Sequence, residues 1–202
     1  MAFEKNIKSI VHFMAFPGPR LGKSAQYGEA PKKYMIDSIN FIASTKFFNG
    51  IEITTIKDPE IRSEVAKLLK KYKFYITYSA QVIQLVNEDK LIARTDISSI
   101  DEIERENAVK RLKECIEEAY EIGCDQFAFI SGEDPGTETG MQKRNLAMRS
   151  LLVSIEELCK YNREMAKYYK REKMKMTLET FDREPGKGFK NQLIGPSNEA
   201  KV

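Results

Sequence analysis

Five short runs of β-forming residues alternate with longer segments of helical periodicity, and this alternation limits the fold more than any other feature of the chain. The runs are 7–16, 50–56, 74–80, 125–131 and 175–181. Such alternation predicts parallel strands joined by crossover helices, which defines an α/β fold. At 202 residues the chain is long enough for one sizeable core, so we expect a single domain over residues 1–202.

The first two long helices are predicted from periodicity and from a capping pair. Apolar residues recur at steps of three and four over 31–45, which predicts a helix there. The next helix follows Asp58 and Pro59. Because aspartate is a favoured N-cap and proline is favoured at the first helical position, this pair marks the start of the second helix.

The third helix has both of its ends marked in the sequence. Ser99 with Glu102 three positions later predicts a capping box, and Gly123 is placed to end the helix. The fourth helical segment, 141–172, is long for a globular protein. We therefore expect a break or a bend in it near 149–154.

The charge of the chain gives little reason to expect a nucleic-acid partner. Lysine and arginine number 33 against 30 acidic residues, which leaves a net charge of +3. Two basic clusters, 67–73 and 167–175, lie near predicted helix ends. Cations there favour the helix dipole and solubilise the surface, and we interpret both clusters in that way.

The cysteines and the N-terminal region indicate a cytoplasmic protein without a membrane partner. Cys115, Cys124 and Cys159 show no Cys-x-x-Cys spacing, so we interpret them as small apolar residues in a reducing compartment. Pro17 and Pro19 interrupt the apolar run near the N-terminus. That run matches neither a secretory signal nor a membrane-spanning helix.

Two acids lie within otherwise apolar β-type runs. Glu179 is in the fifth run and Glu52 is in the second. An unpaired charge in such a place is strongly unfavourable, or its pKa shifts until the group is neutral. Each acid is therefore either paired with a neighbouring strand or a ligand for substrate or metal at the carboxyl end of a barrel strand.

His12 is the single histidine and lies in the first run. It is either a core histidine with a satisfied hydrogen bond or, at a strand end facing a polar cleft, a group that binds substrate. Two long polar connections, 16–30 and 132–140, are expected on the same face as Glu179. Every strand-to-helix loop of a parallel barrel emerges from the carboxyl end of its strand.

With these residues the chain resembles the xylose isomerase-like TIM barrel family, which includes sugar and sugar phosphate isomerases and epimerases and, more distantly, DNA-repair enzymes of the endonuclease IV type. Matching stretches are GIEI at 50–53, SG at 131–132, LLVSIEEL at 151–158, LETFDRE at 178–184 and LIGP at 193–196. The resemblance implies a (β/α)8 TIM-barrel fold that is incomplete, with about five βα units. A complete barrel has eight strands and about 250 residues, so the chain resembles the N-terminal portion of one.

The resemblance implies a metal-dependent sugar or sugar-phosphate isomerase or epimerase, or an N-terminal fragment of one. In such enzymes a divalent ion (Mn, Mg, Co or Zn) polarises a carbonyl while carboxylates move a proton at the neighbouring carbon. The first metal ligand of the family maps onto Glu179, the implied catalytic residue. His12, Glu52 and Arg183 are implied to line the substrate side. The other ligands come from later strands in the family, so we expect weak metal binding and no turnover by this chain alone.

Two other functions stay open. A non-catalytic barrel remnant or interaction protein would keep the fold without the metal site. A nucleic-acid enzyme of the endonuclease IV type needs several histidines, and the single histidine argues against it.

The expected partners are a sugar or sugar phosphate and either a second copy of the chain or a complementary C-terminal fragment. We expect the inward face of the sheet to be apolar, built from Val11, Ile53, Ile76, Phe129 and Leu178. In an incomplete barrel that face and the two edge strands are uncovered. Bare apolar faces and open edges promote association.

Overall fold

A computed structural model of the chain describes residues 6–16, 32–85, 95–136, 141–181, 183 and 191–195. Most of the polar connection 16–30 lies outside these ranges, and so do residues 137–140 of the second connection.

A five-stranded parallel sheet organises the chain, which confirms the predicted α/β architecture. The strands are β1 (Ser9–Val11), β2 (Gly50–Ile53), β3 (Tyr75–Ser79), β4 (Gln126–Ile130) and β5 (Lys175–Glu179). They lie in the order β1-β2-β3-β4-β5, and each neighbouring pair is parallel. Because crossovers between parallel strands are right-handed and the order never reverses, the helices cover one face of the sheet, as in a barrel.

The helices agree with the sequence prediction except in two short elements and in the longest one. They are α1 (His12–Ala15), α2 (Lys32–Ser44), α3 (Pro59–Tyr72), α4 (Gln81–Leu85), α5 (Glu102–Ile122) and α6 (Met141–Tyr168). The short helices α1 and α4 were not predicted. The expected break near 149–154 is wrong, because α6 is one helix of 28 residues. Its buried stripe packs along α5, so tertiary packing stabilises a length that is unusual for an isolated helix.

The helix caps follow the predicted chemistry at two of three places. Asp58 accepts hydrogen bonds from the amides at the start of α3, and Gly123 ends α5 at a φ of 95°, where a glycine is favoured. The capping box of Ser99 and Glu102 is wrong. Asp101 caps α5 instead, because its carboxylate accepts from the Ile103 and Glu104 amides at 2.9 and 3.1 Å.

The two faces of the sheet differ in polarity. On the helix side, Tyr78 stacks on Phe127 with ring centroids 5.5 Å apart. On the inner side, the Tyr75 hydroxyl donates to Gln126 Oε1 at 3.1 Å, and Gln126 Nε2 donates to Thr177 Oγ1 at 2.9 Å. The inner side therefore carries a row of hydrogen-bonded polar side chains across three strands.

The expectation of an apolar inner face is wrong. Ile76 and Phe129 share the side of Tyr78 and Phe127 by strand alternation, and Leu178 pairs in register with Phe129. Ile53 pairs with Tyr78 and lies on the helix side as well. Of the five residues expected to face inward, only Val11 does so, since it pairs with Glu52. Displacing the pattern by one residue exchanges the two faces of a strand.

Two further expectations concerned the state of the cysteines and the absence of a membrane-spanning helix. Cys115 and Cys124 are buried and Cys159 is partly buried, and all three are free thiols. Among the helices that the structure describes, none combines the length and the apolar character that crossing a membrane requires.

Candidate active site

Two acids lie on the inner face, towards the carboxyl ends of their strands. Glu179 is the last residue of β5 and is in phase with Thr177, a member of the inner polar row. Glu52 is the third residue of β2 and pairs with Thr77, which lies two residues before Ser79 on β3. The structure therefore brings the two sequence-predicted acids to one side of the sheet, where barrel enzymes place their chemistry.

Glu179 is held in a state close to half protonation at neutral pH. Burial of its carboxyl group and the charge of Glu52 raise the pKa of Glu179 to about 7. The side chain of Gln81, at the start of α4, donates a hydrogen bond to Glu179 Oε2. A carboxyl group whose pKa is near the working pH both accepts and donates protons effectively.

Glu52 lies beside an unsatisfied hydroxyl group. Burial raises the pKa of Glu52, and the nearby Ser79 hydroxyl offsets part of that rise. Ser79 Oγ is buried and has no hydrogen-bond partner of normal geometry in the described part of the chain. The contact with Glu52 is therefore looser than a full hydrogen bond. A buried polar atom in this condition is a site for a ligand group or a water molecule.

His12 is turned towards the helix layer. Its Nε2 lies 2.8 Å from the Ser38 hydroxyl oxygen on α2, and its ring stacks on Phe16 with centroids 5.2 Å apart. Burial lowers the pKa of His12 to about 4, so the imidazole is neutral at physiological pH. This arrangement matches the core-histidine interpretation. The substrate-binding role of His12 stays a prediction.

Arg183 is fixed at the rim of the sheet by a buried acid. Its Nε lies 3.0 Å from Asp134 Oδ2, and its guanidinium also donates to the carbonyl oxygen of Leu193. Asp134 pairs as well with Arg144 at 3.2 Å. The Leu193 amide donates to Gly132 O at 2.8 Å, so the segment after β5 folds onto the loop that follows β4. A substrate contact by Arg183 stays a prediction.

The described residues do not assemble a metal centre by themselves. Within the described ranges, no three side chains of histidine, cysteine, aspartate or glutamate come together as a candidate metal site. Protein metal sites need several convergent ligands. Glu179 fits the role of one carboxylate ligand, and the metal-binding role remains a prediction for this residue.

Sequence reasoning missed three polar residues around these groups. They are Gln81, Ser79 and Asp134. Ser79 and Gln81 lie at the end of β3 and directly after it, so their position at a carboxyl strand end was an available signal. No signal in the sequence pairs Asp134 with Arg183, which lies 49 positions later.

Comparison with known proteins agrees with this architecture. A family model described as "Xylose isomerase-like TIM barrel" matches residues 11–192. A search of curated proteins finds no match.

Three solved structures share the fold at low identity. A D-tagatose 3-epimerase-like protein aligns with a TM-score of 0.55 and 17% identity, over 79% of this chain and 52% of that one. D-psicose 3-epimerase with D-tagatose from Clostridium cellulolyticum H10 aligns with a TM-score of 0.54 and 15% identity, over 74% and 47% of the two chains. L-ribulose 3-epimerase aligns with a TM-score of 0.52 and 19% identity, over 77% and 46%.

The chain thus spans about half the length of these solved structures. At such identities the likeness concerns the fold alone. The family match is broader, because it runs from the end of β1 to beyond β5. The chain belongs to the xylose isomerase-like TIM barrel family.

Proposed function

We propose that the chain carries the acid-bearing part of a sugar isomerase or epimerase site, in which Glu179 moves a proton at the carbon next to a sugar carbonyl. The observation that carries this proposal is the pair of half-buried acids on the inner face, with the pKa of Glu179 raised to about 7. The solved structures of similar fold are named as epimerases acting on ketoses or their relatives. Free ketoses are therefore the first substrates to test, and sugar phosphates are the second.

The proposed step needs one base on one face of the sugar. Glu179 takes the proton from the carbon beside the carbonyl. The carbon–hydrogen electron pair forms the double bond of an enediolate, and the π pair of the carbonyl moves onto its oxygen. Returning a proton to the same face restores the starting sugar, whereas delivery to the opposite face gives the epimer. The buried Ser79 hydroxyl, without a normal hydrogen-bond partner in the described residues, would bind a sugar hydroxyl group in this proposal.

Metal binding is proposed only as a weak property of this chain. A divalent ion would supply polarisation of the sugar carbonyl, and Glu179 is the residue that the family pattern assigns to it. Since the described residues bring no three such ligands together, no step of the proposal is routed through a metal. Calorimetric titration with manganese should show weak binding, and tight binding that survives Glu179→Ala would contradict the assignment.

Hydrogen exchange tests the proposal with the full chain. D-tagatose, D-psicose and L-ribulose are incubated in D2O near neutral pH, and proton NMR follows deuterium entry beside the carbonyl. We expect exchange without much inversion, because exchange needs one base and inversion needs a donor on the opposite face. Glu179→Gln should slow the exchange about 100-fold, the usual contribution of a general base.

Glu106→Gln is the matched control, since Glu106 is an exposed acid on α5. This variant should exchange at the wild-type rate. Exchange that Glu179→Gln leaves unchanged would remove Glu179 from the chemistry. Absence of exchange with every sugar and sugar phosphate, in a folded protein, would favour the non-catalytic alternative.

We also propose that the chain associates with a second copy or a complementary fragment through the open edges of its sheet. The polar inner face removes the apolar driving force that the sequence pattern predicted. In the described sheet β1 and β5 each pair with one strand, and open strand edges favour pairing with another chain. Sedimentation at micromolar concentration should show a dimer, and a monomer that melts cooperatively would show that the sheet is self-sufficient.

A further inference from the structure

A large cavity lies on the helix side of the sheet, away from the face that carries Glu52 and Glu179. Its volume is about 890 Å³, within the range of roughly 300–1,000 Å³ typical of small-molecule sites. It runs along α3 to the connections that precede β3, β4 and β5. None of the proposed proton-transfer residues lines it.

The cavity joins the two basic clusters of the sequence. Lys67, Lys70 and Lys73 come from the first cluster, and Arg171 comes from the second. Lys67 and Lys70 are three positions apart on α3 and therefore share one helix face. Lys73 follows as the C-cap of α3. Two clusters about 100 positions apart in the sequence thus line one cavity. Their position at helix ends does not by itself explain why they meet there.

The arginines of the cavity wall are already engaged. Arg62 Nε pairs with Glu121 Oε2 at 2.6 Å. Arg171 donates to the carbonyl oxygens of Tyr120 and Gly123 at 3.2 and 3.0 Å. The lining also includes the acids Glu121 and Asp125, which equal the two arginines in formal charge. The positive excess of the cavity therefore comes from the lysines.

The three lysines carry charge without a counterion. Lys67, Lys70 and Lys73 are exposed, and no acid within the described ranges forms an ion pair with any of them. The carboxyl ends of α3, α5 and α6 lie nearby and oppose an anion, each with about half an elementary charge. Three full positive charges exceed that opposing charge. The cavity mouth is thus suited to an anion with more than one negative charge.

The floor of the cavity is apolar. Phe74, Ile76 and Ile122 line it and are buried. Tyr120 and Tyr169 stack with centroids 5.4 Å apart and an interplanar angle of 6°. An apolar floor below a cationic mouth is the arrangement that suits a ligand with an apolar or aromatic body and a charged end.

We propose that this cavity binds a small organic phosphate with an aromatic body, of the nucleoside diphosphate class. The phosphates contact Lys67, Lys70 and Lys73 at the mouth. The aromatic ring rests on the floor formed by Phe74 and Ile76.

Isothermal titration calorimetry at low ionic strength tests the site, with ADP and inorganic pyrophosphate as probes. ADP should bind about tenfold more tightly than pyrophosphate, because only ADP covers the floor. Replacing Lys67, Lys70 and Lys73 together by Gln should weaken ADP binding about tenfold or more, since each exposed charge contributes a severalfold effect. Equal affinity of this variant and the wild type would overturn the proposal.

A matched charge control tests whether ADP binds at the cavity or is attracted only by the overall positive charge of the protein. Lys110, Lys143 and Lys160 are exposed lysines outside the cavity, and replacing them by Gln removes the same charge. This control should keep wild-type affinity for ADP, and an equal loss would show non-specific electrostatics only.

A neutral blocking variant tests the cavity itself. Ser63 is exposed on α3 and lines the cavity, so Ser63→Phe fills the space without changing charge. It should weaken ADP binding while circular dichroism and the melting temperature stay at wild-type values. Unchanged ADP affinity in this variant would show that the nucleotide binds elsewhere.

Discussion

Glu118 and Glu179 are two acids of one chain whose carboxyl groups have different surroundings. Glu118 is 12% exposed and faces the helix side of the sheet. Burial raises its pKa, and four groups work against that rise. These groups are the Tyr78 hydroxyl, the Ile56 amide, the Thr55 hydroxyl and the Arg62 guanidinium.

Glu179 receives no comparable compensation. It accepts a hydrogen bond from Gln81, and the neighbouring charge of Glu52 adds to the effect of burial on its pKa. A carboxylate that several donors satisfy stabilises the fold, whereas one that faces a like charge is kept ready to take up a proton. Glu118 thus links α5 to the sheet, whereas the surroundings of Glu179 support the proposed proton transfer.

The largest expected effect is on stability and comes from Glu118. Glu118→Ala leaves the Tyr78 hydroxyl and the Ile56 amide without their acceptor, and it removes one of the two acids that pair with Arg62. We expect the free energy of unfolding to fall by about 3 kcal/mol, measured by urea denaturation. Glu106→Ala on the exposed side of α5 should change it by less than about 0.5 kcal/mol. A loss in Glu118→Ala no larger than in this control would show that the network contributes nothing.

Ionisation of Glu179 should lower the stability of the folded protein, whereas Glu118 raises it. The effect of Glu179 should appear only at pH values above its unfolded-state pKa. Its folded pKa is raised to about 7 from the ordinary value of 4.5, so the folded state binds the proton more tightly. Stability should therefore fall as the pH rises from about 4.5 to about 7. Glu179→Gln should remove that fall, and the variant should exceed the wild type by about 1 kcal/mol at pH 8 after allowance for solvent screening.

Urea denaturation at several pH values measures this dependence. Glu106→Gln should keep the wild-type pH dependence. If Glu179→Gln and the wild type lose stability in parallel between pH 5 and pH 8, the carboxyl group of Glu179 is not raised in the folded protein.

The smallest expected effect is the change in the pKa of Glu179 when Gln81 is replaced. Its hydrogen bond favours the charged form of Glu179, so Gln81→Leu should raise the pKa of Glu179 further. Carboxyl-carbon NMR titration measures the change, with the exposed Gln142→Leu as control. A lower pKa of Glu179 in Gln81→Leu would contradict the hydrogen-bond assignment.

Local chemistry explains which parts of the fold were predictable. The Asp58 cap, the Gly123 end and the alternation of strands and helices depend on neighbours in the sequence, and they are found as predicted. Glu52 and Glu179 were recognisable as candidate site residues because an acid in an apolar strand is unfavourable unless it is paired or binds a ligand. The family resemblance was carried by short stretches and is confirmed over residues 11–192.

The predictions that were wrong, and the features that were missed, depend on contacts between residues distant in the sequence. Ile76 and Phe129 were placed on the inner face because an apolar strand pattern does not reveal which side the helices cover. Glu118 lies in an acidic helical segment, and only the packing of α5 on β3 brings it to Tyr78. The two basic clusters meet in one cavity for the same reason. Such contacts follow from the register of the sheet.

Burial, reinforced by the charge of Glu52, raises the pKa of Glu179 to about 7, and the proposed proton transfer depends on this shift. Carboxyl-carbon NMR titration of the wild type and of Glu52→Gln tests it most directly. Glu179 should titrate at about 7 in the wild type. Its pKa should fall in Glu52→Gln because the like charge is gone, and it should stay above 4.5 because the carboxyl group is still buried. A wild-type pKa near 4.5 would show that the pKa of Glu179 is not raised, and a raised pKa that Glu52→Gln leaves unchanged would show that the charge of Glu52 does not contribute.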